Sequence, residues 1–187
     1  TPCYYPFMDA VKDTGRSLVC SDLVHTEHGY TVNLSDLEAK FQAEQVKMLL
    51  LCSPHNPVGH VWKEAELLGI LELCRRYDVL VVSDEIHQDI VFNGNEHLSC
   101  LRFPEYLDRT ILLTSGSKTF NIAGLQNSFA LIRNLSLFPT LGIHCLLCLQ
   151  KQSPRRSCYG RRVVIITIFF SIRPESPSIT PFFPTAK

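Results

Sequence analysis

The sequence predicts an α/β domain, a mostly parallel sheet with helices on both faces, over residues 1–134. Its predicted strands are near-continuous apolar runs, which are typical of strands buried on both faces of a parallel sheet. These runs alternate with segments of helical spacing, and that alternation requires crossover connections between parallel strands. Polar residues cluster where several runs end, at the rim of the sheet where ligands gather in such folds.

The first part of the chain predicts two helices and one strand. Apolar residues at helical spacing begin at Phe7, and Gly15 ends that short helix. Residues 17–24 are predicted to form a strand. The run SDLE at residues 35–38 is a capping box, in which Ser35 accepts from the amide of Glu38, and it predicts the start of a second helix.

The remaining elements lie between residues 46 and 132. A helix is predicted from Lys63 to Tyr77, because its apolar residues recur at the three-and-four spacing of one buried face. A weaker helical pattern covers residues 96–107. Apolar runs predict four further strands, at residues 46–52, 79–83, 110–113 and 127–132.

Charge and cysteine content narrow the class of protein. The chain has 18 Lys and Arg against 18 Asp and Glu, so it has no electrostatic footprint for a nucleic acid or a membrane surface. Cys20, Cys52 and Cys74 occur singly in apolar segments, as reduced core cysteines do. Without a signal peptide, we expect a reducing, cytoplasmic compartment. No histidines have metal-ligand spacing, so we expect no metal site.

The composition changes near Asn134. Of the 18 acidic residues, only Glu175 follows that point, and six of the 11 prolines lie in the last 53 residues. We therefore expect residues 135–187 to be an atypical tail, poorly ordered or non-native, that arises from a frameshift, a retained intron or a misjoined gene model. Within it, residues 163–170 are apolar and β-prone.

Three polar clusters at strand ends predict one binding site. Asn56 follows the first of the four strands, Asp84 the second, and Lys118 lies in TSGSKTF after the third. Hydroxyls and exposed amides suit a phosphate, and a lysine amine suits a Schiff base with an aldehyde. Pyridoxal 5'-phosphate has both groups, and it needs a carboxylate at its ring nitrogen. The alternatives are a solvated lysine in a polar loop and an aspartate that caps a helix.

Three segments, CSPHNPVGHVW, VVSDEIHQDIVF and LLTSGSKTFNIAGL, resemble motifs of a known family. The family is the fold-type I, class I/II aminotransferase superfamily, and the likeness is to its cystathionine β-lyase-like branch of carbon–sulfur lyases. The resemblance covers residues 1–134 and implies an incomplete pyridoxal 5'-phosphate-binding large domain. It implies β-elimination of cysteine S-conjugates to thiol, pyruvate and ammonia. An aminotransferase and a catalytically inactive binding or regulatory module are the alternatives.

The resemblance assigns roles to individual residues. Lys118 is implied to form the Schiff base and then to remove the substrate α-proton. Asp84 is implied to pair with the ring nitrogen, Asn56 to bond the ring hydroxyl, and Tyr4 to stack on the ring. An amino acid is the implied substrate.

Two further positions bear on the type of reaction. Ser115 and Ser117 are candidate phosphate ligands by the same resemblance. His87 stands where many aminotransferases have a tyrosine near the ring hydroxyl, and Gln126 where they have a phosphate-binding arginine. Both departures favour the lyase branch without excluding a transaminase.

The resemblance also implies what lies around these residues. Family members have a glycine-rich helix start before the part that resembles this chain. They continue into a small domain with an arginine for the substrate carboxylate, and they form homodimers. We therefore expect residues 1–187 alone to bind the cofactor weakly and to turn over poorly.

Overall fold

The computed structural model describes residues 1–125, 127–137 and 164–169. Its α-helices are α1 (Tyr5–Asp13), α2 (Leu34–Glu44) and α3 (Glu64–Arg76). Its strands are β1 (Val24–Thr26), β2 (Gly29–Thr31), β3 (Met48–Cys52), β4 (Leu80–Asp84), β5 (Thr110–Thr114), β6 (Asn127–Ile132) and β7 (Val164–Phe169).

The main sheet has five described strands in the order β3-β4-β5-β6-β7. The β3–β4 and β4–β5 pairs are parallel, whereas β6 pairs antiparallel with both β5 and β7. Strands β1 and β2 form a separate antiparallel hairpin. The predicted α/β class is confirmed, and the parallel part of the sheet is the part from which the predicted site loops emerge.

Most predicted elements are present. Helices α1 and α3 and strands β3 to β6 lie where the apolar patterns place them, and β7 lies within the β-prone run at residues 163–170. The proposed domain boundary at Asn134 and the origin of residues 135–187 stay predictions, since most of those residues lie outside the described ranges.

The strand predicted over residues 17–24 is wrong except at its last residue. Only Val24 belongs to a strand, and residues 17–23 have no regular structure. This segment pairs with the first residue of the chain instead. The Thr1 amine donates to the Ser21 carbonyl at 2.7 Å, and the Leu23 amide donates to the Thr1 carbonyl at 3.1 Å.

The capping box predicted at Ser35 is also wrong. The N-cap of α2 is Asn33, whose side-chain oxygen accepts from the Asp36 amide at 3.0 Å. The predicted partner Glu38 instead accepts from Arg76 at 2.7 Å. Asparagine and serine are about equally good caps, so the choice depends on the backbone that enters the helix.

The weak helix predicted over residues 96–107 is not an α-helix. The structure has two 3₁₀ segments there, Cys100–Arg102 and Pro104–Arg109. Proline has no amide hydrogen and restricts the residue before it, so Pro104 interrupts the α-helical hydrogen-bond ladder.

The larger core lies between α3 and one face of the sheet. Leu67, Leu71 and Cys74 of α3 are fully buried, as is Val81 of β4. A smaller cluster that includes Ile111 covers the opposite face. Because side chains alternate along a strand, β4 directs neighbouring residues to opposite faces.

The described cysteines are free, and three of them are buried. Burial raises the pKa of Cys52 to about 11 and the pKa values of Cys74 and Cys100 to about 12. Within the described ranges no three His, Cys, Asp or Glu side chains form a cluster that could hold a metal ion, and no helix is long and apolar enough to cross a membrane.

We predict selective alkylation of the native chain at pH 8. Cys20 is partly exposed and should react with iodoacetamide well before Cys74, because the thiolate is the reacting species and a pKa of about 12 leaves roughly one thiolate in ten thousand. Peptide mass spectrometry measures the order, and the urea-unfolded chain is the control in which both react. Equal rates in the native chain would contradict the described core.

Candidate functional site

Strands β3, β4 and β5 end together at one rim of the sheet. In the pairing register, Cys52 lies opposite Asp84, and Asp84 lies opposite Leu113. Beyond the ladder, the Ser53 amide donates to the Asp84 carbonyl at 2.9 Å, and the Glu85 amide donates to the Leu113 carbonyl at 2.8 Å. These two bonds fix the end of β4 between its neighbours, so the loops after the three strands start side by side.

Asp84 has a half-buried carboxylate at the centre of this rim. It accepts from the Ile86 amide at 3.2 Å, and within the described part of the chain it forms no ion pair. Burial raises the pKa of the Asp84 carboxyl, while the Ile86 amide and the nearby charges of His87 and Lys118 oppose that increase. Asp84 is therefore short of a positive partner.

Lys118 lies in the loop after β5, with its side chain exposed. The loop is closed by turns, in which the Phe120 amide donates to the Gly116 carbonyl at 2.9 Å. The Thr119 hydroxyl donates to the Asp89 carboxylate at 2.7 Å, which joins this loop to the segment after β4. The loop that contains Lys118 is thereby held beside the segment that follows Asp84.

His87 completes a cluster of three titratable groups. Burial lowers the pKa of His87, the positive charge of Lys118 lowers it further, and Asp84 opposes both. Each of the three groups is thus within electrostatic reach of the other two. The mutual charge effects indicate that Asp84, His87 and Lys118 lie near one another, and their common role at a cofactor stays a prediction.

Ser115 and Ser117 form a closed hydrogen-bond pair beside Lys118. The Ser115 hydroxyl donates to the Asn127 carbonyl at 2.7 Å and accepts from the Ser117 amide at 3.0 Å. Since its one proton is used, the 2.6 Å contact between the two hydroxyls is donated by Ser117. A phosphate would have to replace one of these bonds, and Ser117 can free its proton by rotation.

Asn56 and Tyr4 lie at the edge of the cluster. Asn56 is half-buried, and its backbone amide donates to the thiol sulfur of Cys52 at 3.4 Å. Tyr4 is 38% exposed, and its described ring contacts are with Tyr5 and Phe7. The described contacts therefore do not bring Tyr4 onto Asp84 or Lys118. The predicted position Gln126 lies outside the described residues.

His55 lies in this region, and the sequence alone assigns it no role. His55 is buried, and its Nε2 is 2.8 Å from the Pro2 carbonyl, which can only accept, so Nε2 donates. Its ring also packs edge-on against Trp62. His55 thus joins the loop of Asn56 to the segment that leads to Tyr4. The only signal in the sequence was its position before Asn56.

Comparison with known proteins identifies the family. Residues 1–153 match the model of the family described as Aminotransferase class I and II. The chain belongs to this family. Its members are enzymes that depend on pyridoxal 5'-phosphate, and several similar solved structures contain that cofactor. The resemblance predicted from the three motifs is confirmed.

Similar proteins include both lyases and transaminases. The chain is 39% identical over 132 residues to "Cystathionine beta-lyase PatB" of Bacillus subtilis. The match covers 70% of this chain and 34% of that protein. It is 41% identical over 95 residues to human "Kynurenine--oxoglutarate transaminase 3", covering 51% of this chain and 21% of that protein.

A similar solved structure is the pyridoxal phosphate-bound C-S lyase of Staphylococcus hominis. The TM-score is 0.73 at 38% identity, and the match covers 77% of this chain and 37% of that one. The chain spans about a third of the length of the curated relatives PatB and MalY, which it matches.

We predict that Asp84→Asn stabilises the chain in the absence of cofactor at pH 7. A carboxyl whose pKa is raised in the folded state binds protons more tightly there than in the unfolded chain, so ionising it lowers the free energy of unfolding. The increase in the free energy of unfolding should disappear below about pH 4, where the Asp84 carboxyl is protonated in both the folded and the unfolded state. Urea unfolding at the two pH values measures it. An equal effect of the substitution at both pH values would contradict the electrostatic cause.

Proposed function

We propose that this chain is the cofactor-binding part of a carbon–sulfur β-lyase that eliminates thiols from cysteine S-conjugates. The observation that supports this most directly is the cluster of Asp84, His87 and Lys118 at the ends of adjacent parallel strands. A half-buried carboxylate that forms no ion pair among the described residues, with an exposed amine within its electrostatic reach, suits a cationic ring and an aldehyde on one molecule.

These residues fit pyridoxal 5'-phosphate. Asp84 would hold the ring nitrogen, and a protonated nitrogen would supply the positive partner that this carboxylate lacks. Lys118 would bind the aldehyde carbon through its amine. Asn56 would donate to the ring hydroxyl from the loop after β3, and His87, whose pKa is lowered by burial, would lie beside it.

The phosphate and the ring face have weaker candidates. Ser117 would rotate its hydroxyl from Ser115 to the phosphate, and Ser115 would hold the loop through the Asn127 carbonyl. Exchanging one hydrogen bond for another has a small net effect, about 1 kcal/mol or less. Tyr4 would have to move from its contacts with neighbouring rings to stack on the cofactor.

The proposed reaction needs one proton transfer from the substrate to a residue of the chain. When bound, pyridoxal 5'-phosphate supplies a ring that accepts the electron pair left at the substrate α-carbon. The amine of Lys118, displaced from the aldehyde carbon by the amine of the substrate, would accept the α-proton. The Asp84 carboxylate would pair with the ring nitrogen and favour its protonated form. Cleavage of the Cβ–S bond would release the thiolate, and the aminoacrylate that leaves the site would react with water to give pyruvate and ammonia.

The lyase is favoured over a transaminase by His87 and by the relatives. His87 stands where the resemblance places a tyrosine in many aminotransferases, and PatB and the Staphylococcus hominis protein are named as lyases. The likeness to kynurenine–oxoglutarate transaminase 3 supports amino transfer as the second candidate. Both candidates use the same lysine and carboxylate, so products separate them.

The products formed from L-cystathionine test the assignment. The purified chain, incubated with an excess of pyridoxal 5'-phosphate, should release pyruvate and a thiol slowly, as expected of a partial domain, without any added 2-oxo acid. A lactate dehydrogenase coupled assay measures pyruvate, and a thiol reagent measures the second product in equal amount. Glutamate that forms only when 2-oxoglutarate is added, with no pyruvate, would reject the lyase in favour of the transaminase. Cofactor binding with neither product would favour the inactive module.

Lys118→Ala should abolish covalent attachment of the cofactor. Borohydride reduction of the wild-type chain should add the cofactor mass to the peptide that contains Lys118, and the variant should gain none. Any turnover should fall about a thousandfold, because the general base is lost with the amine. Lys12→Ala, an exposed lysine of α1, is the matched control and should label like wild type. Modification of the Lys118→Ala chain at another lysine would contradict the assignment.

A further inference from the structure

A buried carboxylate lies directly after Asp84. Glu85 is 0% exposed, and its two oxygens accept three hydrogen bonds. One oxygen accepts from the Ser83 hydroxyl and from the Cys100 amide, both at 3.0 Å, and the other accepts from His97 Nε2 at 2.9 Å. All of these partners are protein groups, so the carboxylate is satisfied without any ligand.

These bonds close a long excursion of the chain. Residues 85–99 form turns and irregular structure between β4 and the 3₁₀ segment at Cys100. Glu85 is at the start of this excursion, and His97 and Cys100 are at its end. The carboxylate therefore holds the two ends together, and His87 and Asp89 lie on the part of the chain between them.

The same bonds restrain the orientation of Asp84. Ser83 and Glu85 lie on the face of β4 that packs toward α3, and Asp84, between them, points to the opposite face. The Ser83 hydroxyl is bonded to the Glu85 carboxylate at 3.0 Å. The two neighbours of Asp84 are therefore held by a hydrogen bond on the face of the sheet opposite to Asp84.

Stability alone does not account for a buried carboxyl group in this position. Burying an ionised carboxylate costs several kcal/mol, and well-packed apolar residues often replace such groups without loss of stability. A carboxylate does what an apolar residue cannot, because it binds three donors from three separate points of the chain at once.

We propose that Glu85 and His97 are positioning residues for the cofactor site. Together they hold the end of β4 and the turn that follows it, so that Asp84 and His87 face Lys118. This inference rests on the proposed function for its consequence, which is tighter cofactor binding, but the restraint itself can be measured without cofactor.

A pair of variants at His97 tests the restraint. His97→Leu removes the donor and leaves one Glu85 oxygen unpaired, whereas His97→Gln keeps a donor of similar reach. Amide hydrogen exchange of the chain without cofactor should increase at residues 86–90 in His97→Leu and stay near wild type in His97→Gln. The amides of Gln88 and Ile90 form turn bonds in this segment and report on it. Unchanged exchange there in His97→Leu would overturn the proposal.

Cofactor affinity then tests the consequence. The dissociation constant of pyridoxal 5'-phosphate, from an absorbance titration, should rise about tenfold in His97→Leu, as expected when a charged hydrogen-bond acceptor loses its partner. His97→Gln should stay within about threefold of wild type.

Leu67→Ala is the control for a general loss of stability. Leu67 is fully buried on α3, and its apolar side chain makes no hydrogen bond to Glu85 or His97. Its truncation should therefore lower the urea midpoint without changing cofactor affinity in the folded chain. An equal loss of affinity in Leu67→Ala and His97→Leu would overturn the positioning role. If the wild-type chain does not bind the cofactor, the proposed function fails, and the exchange data alone decide whether Glu85 and His97 hold the turn.

Discussion

Three parallel strands that end in register are the constraint on which the site depends. The Ser53 and Glu85 amides extend the ladder one step beyond the strands and fix Asp84 between β3 and β5. Because side chains alternate along β4, this register also determines that Asp84 points to one face and Glu85 to the other. Residues far apart in sequence meet at the rim only because the crossover connections return each strand to the same edge.

The site has an electrostatic cost that the rest of the fold offsets. Burial raises the pKa of Asp84 and lowers the pKa of His87, so both groups are held in an environment that disfavours their charged forms. The buried core between α3 and the sheet, together with the hydrogen bonds of Glu85, supplies the rigid support for these groups. A cationic ring would offset the desolvation of the Asp84 carboxylate. Binding of the cofactor should therefore increase the free energy of unfolding.

Much of the fold was predictable because burial determines sequence pattern. Strands β3 and β4 are apolar runs, and α3 has a complete buried face, so local pattern and tertiary structure agree there. The prediction failed where a long-range partner decides the structure. Residues 17–23 bond to Thr1 instead of joining the sheet, and Asn33 takes the capping role predicted for Ser35.

The sequence names candidate site residues, but it does not show which buried residues hold them in place. Asp84 ends β4 and Lys118 lies in the loop after β5, and the motifs name both, so the sequence predicts that they lie at one rim. His55 and Glu85 act through partners 53 and 15 positions away, at Pro2 and Cys100. Such distances follow from the folded backbone, and no spacing rule contains them.

The most direct test of this account is the protonation state of the cofactor's ring nitrogen, measured by nitrogen-15 magnetic resonance on labelled pyridoxal 5'-phosphate bound to the chain. We predict a protonated nitrogen at neutral pH in the wild-type chain and an unprotonated one in Asp84→Asn, with Lys118 still attached to the aldehyde carbon in both. An unprotonated nitrogen in the wild-type chain, or a protonated one that persists without the Asp84 carboxylate, would contradict the claim that these two side chains hold one ring.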